Sequence, residues 1–151
     1  MKIEEILQAK LSKPQQKAIV NIRYTSNYLG NLQNQFMSRY DLTMPQFNIL
    51  RILRGAKGAI SVNTVKERMV EKSPNTTRLM DKLIDKRLIN RIRCNEDRRV
   101  VYVEITQEGL DLLAEIDKHF DTISFSQLNL SDEEAEQLSN LLDKARETYT
   151  G

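Results

Sequence analysis

Residues 73 to 83 read Ser-Pro-Asn-Thr-Thr-Arg-Leu-Met-Asp-Lys-Leu, and a second polar group follows in Arg91, Arg93, Asp97, Arg98 and Arg99. These are not the side chains of bond-making chemistry, but they suit DNA. Arginine bonds guanine bidentately, asparagine does the same to adenine, and threonine offers thymine a hydroxyl and a methyl group. Arginine is also favoured in narrow minor grooves, where the negative potential is enhanced. The candidate DNA-binding residues are therefore Ser73, Asn75, Thr76, Thr77, Arg78 and Lys82 in one segment, and Arg91, Arg93, Asp97, Arg98 and Arg99 in the other. Asp97 is out of place in a pure phosphate patch and fits better as an acid that orients an arginine through a bidentate bond. The plainer alternatives stay open: Asn75 and Thr76 as first-turn capping residues, Arg78 in a surface ion pair, and the arginine cluster as a solvated turn.

Such side chains need a helix to enter the major groove and a loop to reach the backbone. Ser73 as N-cap with Pro74 at N1 starts a helix running to about Arg87, roughly 21 Å long, with Leu79, Leu83 and Ile84 inward. A shorter helix precedes it, capped by Ser61 and running through Val65 to about Val70. Leu88 to Cys94 and Val100 to Ile105 have strand composition, with Ile92 and Cys94 alternating against Arg91 and Arg93, and Asn95 to Arg98 supplies the turn of a hairpin. Helix, helix, tight turn, helix and basic hairpin is the order of a winged helix-turn-helix.

Flanking helices complete the chain. Ser12-Lys13-Pro14-Gln15 opens one that extends to about Tyr40, roughly 40 Å, with Ala18, Ile22, Thr25, Leu29, Leu32 and Phe36 on one stripe. That exceeds the needs of a small domain, so part of the stripe is expected to meet a partner. Thr43-Met44-Pro45-Gln46 starts a further helix, Thr106 caps another, and Leu130 to Glu134 forms a capping box for the last. The expected fold is mainly α with a small β-hairpin wing. Residues 1–40 and 107–151 form a helical dimerisation region, and 41–106 the winged helix-turn-helix.

Composition narrows the function. Net charge is +2, but residues 1–65 hold 9 basic and 3 acidic side chains, 66–103 hold 11 and 6, and 104–151 hold 3 and 12. The front and middle thus suit a polyanion and the tail does not. With one histidine, His119, one cysteine, Cys94, and no glycine-rich phosphate loop, no enzyme, cofactor or metal site is expected. Cys94 reads as an inert strand thiol, with a thiol activated by neighbouring Arg93 as the alternative, and Tyr24 and Tyr28 as core residues or the lining of a ligand cleft. With no apolar run of spanning length, and with the acids Glu4 and Glu5 near the start, the protein is expected in the cytoplasm rather than at a membrane.

From Leu42 to Gly109 the sequence resembles the MarR family of bacterial regulators, most closely in residues 73–83, Leu88-Ile89-Asn90-Arg91, Asp97-Arg98-Arg99 and Ile105-Thr106-Gln107-Glu108-Gly109. The resemblance implies a transcriptional regulator that binds double-stranded DNA at an imperfect palindrome as a homodimer, usually a repressor released by a small-molecule effector. It places Thr76, Thr77 and Arg78 on the DNA-reading helix and Arg98 and Arg99 on the wing, with Asp97 bracing the wing arginine. One departure is Arg87, where the family commonly has glycine, which implies an altered turn. The competing reading is a winged-helix module that docks an acidic protein without reading DNA sequence.

Overall fold

The computed structural model describes residues 1–72, 74–93, 96–120 and 128–147. The chain divides into two compact units, Met1–Ala114 and Glu115–Gly151. Its described residues are mainly helical with a small sheet, the expected class.

The first unit opens with α1 (Ile3–Leu7) and α2 (Pro14–Met37), which runs into a 3-10 turn at Ser38–Tyr40. Pro14 takes N1, where its missing N–H costs no helical bond, but the N-cap is Lys13 rather than Ser12 and no side chain caps the helix. Glu4 ties α1 to α2, accepting from Lys17 Nζ at 2.9 Å and from the Leu11 N–H at 3.1 Å. Those bonds, Lys17 first, hold its carboxyl below the ordinary carboxylate value. Along α2 the apolar stripe is buried only at its end, in Phe36 and Met37, while Ile19 and Ile22 are 54% and 45% exposed. Tyr24 and Tyr28 are exposed rather than core.

α3 (Met44–Ala56) begins at the expected capping box. Thr43 Oγ1 accepts from the Gln46 N–H, and Gln46 Oε1 accepts from the Thr43 N–H at 3.0 Å. Phe47, Ile49, Leu50 and Leu53 of this helix are buried, as are Val65 of α4 (Val62–Arg68) and Met80 and Leu83 of α5 (Thr76–Asp85). The sheet adds Ile89 and Val103 to the buried set. Among the described residues it has three strands, not the two expected: β1 (Ile60–Ser61) and β2 (Ile89–Arg93) flank β3 (Val101–Ile105), both antiparallel to it. Two residues are too few for a strand to declare itself by alternation.

α6 (Gln107–Phe120) crosses from the first unit into the second, and α7 (Asp132–Glu147) follows in the second. The expected box at the start of α7 is present, with Ser131 Oγ accepting from the Glu134 N–H at 3.2 Å and Glu134 Oε2 from the Ser131 N–H at 2.9 Å. In this unit His119 Nε2 lies 3.8 Å from the Glu115 carboxylate on the exposed face of α6. Among the described residues no helix is long and apolar enough to cross a membrane.

The junction of α5 with the sheet fixes where the wing begins. The Arg87 N–H donates to the Ile84 carbonyl at 2.9 Å and the Leu88 N–H to the Leu83 carbonyl at 3.0 Å, the paired bonds of a Schellman motif. Arg87 holds the left-handed position of that motif at φ 61. A residue with a Cβ pays for that conformation in steric strain, so Arg87→Gly is expected to raise unfolding stability by up to about 1 kcal/mol. Chemical denaturation would show it as a higher midpoint at unchanged slope. A lower midpoint would mean that the arginine side chain contributes more than the turn costs.

Candidate nucleic-acid interface

α5 starts two residues later than its sequence signals imply. Asn75 is the N-cap and Thr76 the first helical residue, leaving ten residues, about 15 Å, rather than the longer helix expected from Pro74. Ser73 lies outside the described residues, as does Cys94. Thr76, Met80 and Leu83 form the buried side of the helix. Thr77, Arg78, Asp81 and Lys82 are exposed, with Arg78 and Lys82 one turn apart.

Thr76 is the first correction. It is 1% exposed, and its hydroxyl donates to Met69 Sδ at 3.7 Å, so it holds the turn between α4 and α5 instead of facing a groove. Helical phase explains this: the residue four before Met80 must share its buried side. Thr76→Val keeps the shape and loses the weak bond. It is expected to change stability by less than about 1 kcal/mol and to leave DNA affinity within about twofold of wild type. A titration showing a tenfold loss would return Thr76 to the reading surface.

The turn has a second fastening that the sequence did not announce. Lys72 Nζ donates to the carbonyls of Lys66 and Glu67, at 3.2 and 2.6 Å, at the C-terminal end of α4. Those are carbonyls left without helical partners, at the negative end of the helix dipole, where a cation is favoured.

On the wing, Arg93, Asp97, Arg98 and Arg99 are exposed. Asp97 does not orient an arginine side chain in the manner expected. Its Oδ1 accepts from the Arg99 backbone N–H at 2.9 Å and its carbonyl from the Val100 N–H at 3.2 Å, which shapes the turn that presents Arg98 and Arg99. A short carboxylate reaches the amide two residues on more readily than a long side chain.

The alternation along β2 is inverted relative to expectation. Ile92 was the apolar side of the pattern, yet it is 37% exposed, while Ile89 is fully buried. Arg91 and Arg93 share the Ile89 face by the period of two. Ile92 therefore lies on the opposite face of the strand, which Asn90 shares and which is exposed, so its apolar character does not report burial. Arg91 meets Asp81 of α5, with Nη2 2.5 Å from Oδ1, a partner ten residues earlier that no local pattern marks. Among the described residues no group of three or more His, Cys, Asp or Glu side chains is placed to hold a metal ion.

The arrangement presents an exposed helix start bearing Thr77 and Arg78 beside an arginine-bearing wing, which is what groove and backbone contacts require. Comparison with known proteins bears on the family and the fold. The family model described as "Transcriptional regulator SarA/Rot" matches residues 31–116. The chain is similar to the HTH-type transcriptional regulator MhqR of Bacillus subtilis, at 30% identity over 117 residues, covering 77% of this chain and 80% of that one. It is 35% identical over 85 residues to the uncharacterized HTH-type regulator YfiV of the same organism, a match spanning 56% of this chain and only 51% of YfiV. Among solved structures it resembles a mutant MarR from E. coli complexed with operator DNA, with a TM-score of 0.68, 26% identity, and coverage of 82% and 89% of the two chains.

Proposed function

Since the chain belongs to the SarA/Rot family of transcriptional regulators, and is thus a DNA-binding regulator of MarR-like winged-helix fold and not an enzyme, we propose that it acts as a homodimer on an imperfect palindrome, as a repressor released by a small-molecule effector. One observation carries the sequence-reading part: the outward side chains of α5, Thr77, Arg78 and Lys82, are exposed and lie in the same unit as the exposed arginines of the wing. Asn75 at the N-cap joins them as a candidate base contact, and Arg93, Arg98 and Arg99 take the backbone or minor groove.

Residues 1–40 and 107–151 are assigned to dimerisation and 41–106 to DNA binding. Exposed Ile19 and Ile22 on α2, and Leu138 and Leu141 on α7, support that assignment, since each helix carries apolar area that its own unit leaves uncovered. The two reading helices of a dimer would meet half-sites about 34 Å apart. The effector would act by shifting the population between forms that differ in the separation of those helices.

The test is fluorescence anisotropy of the full chain on duplexes from around its own gene and on unrelated duplexes, across a salt series. Binding to one site about a thousandfold tighter than to unrelated DNA is expected, weakening as salt rises. Equal, weak binding to every duplex would remove sequence-specific regulation. Sedimentation of a monomer at micromolar concentration would remove the dimer.

A further inference from the structure

Arg91 stands in an unusual place for a phosphate contact. Residues directly opposed in an antiparallel pair share a face, and Arg91 opposes Val103, which is 1% exposed. The arginine therefore rises on the buried side of the sheet, at its rim, and meets Asp81 there, the two side chains 45% and 51% exposed. Asp81 lies three residues after Arg78 on α5, close enough for an unpaired carboxylate to compete for the Arg78 fork and to repel a phosphate backbone. The pair cancels that charge and joins the reading helix directly to the wing.

We propose that Asp81 and Arg91 are a positioning pair that sets the wing against the reading helix, so that Arg91 serves DNA binding through Asp81 and not by touching phosphate. The inference rests on the DNA reading given above. It is separable from that reading because the link between helix and wing exists without DNA.

The test uses the full chain as wild type, as the double variant Asp81→Asn with Arg91→Gln, and as the charge exchange Asp81→Arg with Arg91→Asp. In free protein, amide hydrogen exchange at residues 91–93 and 101 should become about threefold to fivefold faster in the neutral double variant, the range a half-exposed ion pair supports. The charge exchange should restore protection. On a duplex from around the protein's own gene, the neutral variant, whose net charge is unchanged, should bind about threefold more weakly with the salt dependence of wild type. Arg98→Ala, a phosphate contact in this reading, should lower that slope by about one. A slope lowered by about one in the neutral variant would make Arg91 a phosphate ligand and overturn the proposal, as would wild-type exchange rates in the wing. If wild type binds no duplex, the DNA reading falls and the exchange rates still decide whether the link exists.

Discussion

Gly109→Ala is expected to lower unfolding stability by about 3 kcal/mol and the melting temperature by roughly 6–12 °C. Replacing a helical glycine with alanine ordinarily stabilises by up to about 1 kcal/mol, so the sign here depends on space. A Cβ at Gly109 would lie 2.4 Å from the Leu88 carbonyl oxygen and 2.7 Å from Ile105 Cγ1. The Leu88 oxygen has no easy retreat, because it accepts from the Thr106 N–H and from Thr106 Oγ1, both at 3.0 Å. Thr106 Oγ1 in turn accepts from the Gly109 N–H at 3.0 Å and lies 2.8 Å from the Arg87 carbonyl. The end of α5, the start of β2 and the start of α6 are thus fastened through one threonine, and the glycine is what lets them approach. Thermal unfolding followed by circular dichroism checks this. A variant melting at or above the wild-type temperature would show that the corner opens without cost. Arg87→Gly, at the other side of the same corner, is expected to move stability the opposite way.

Features decided within one turn of chain were legible in the sequence. Thr43 with Gln46, Ser61, and Ser131 with Glu134 cap helices where the sequence placed them. The strands fall within a residue or two of their expected limits, since β-branched residues and a polar turn mark them locally. Features set by packing were not legible. Ile92 looks apolar and faces out, because the period of two puts it on the face opposite Ile89, whereas Arg91 looks like a free surface cation and is paired with Asp81 at the rim of the sheet. Thr76 carries the chemistry of a base contact, but the phase imposed by Met80 and Leu83 buries it. Composition supplied the right kind of surface; only helical phase and strand register show which of its members face outward. The same limit applied to α2, whose stripe was evident but whose uncovered part could be assigned only once Phe36 and Met37 were seen to be its buried end.

Arg78→Ala is expected to weaken binding to the specific duplex by roughly tenfold to a hundredfold, the worth of one good bidentate base contact, while binding to unrelated DNA falls much less. Arg78 is exposed in the first turn of α5, with its side chain on the helix side opposite buried Thr76, Met80 and Leu83. A guanidinium there reaches a base edge only if the N-terminal part of α5 enters the major groove, so its loss removes discrimination and not merely charge. The wing should behave differently. Arg98→Ala and Arg99→Ala should weaken specific and unrelated duplexes alike and each reduce the salt slope by about one, because a phosphate contact carries no sequence information. Anisotropy titrations of the three variants on both duplexes, across salt, separate the two roles. If Arg78→Ala weakened both duplexes equally and lowered the slope, Arg78 would be a backbone contact, and sequence reading would have to pass to Asn75 and Thr77.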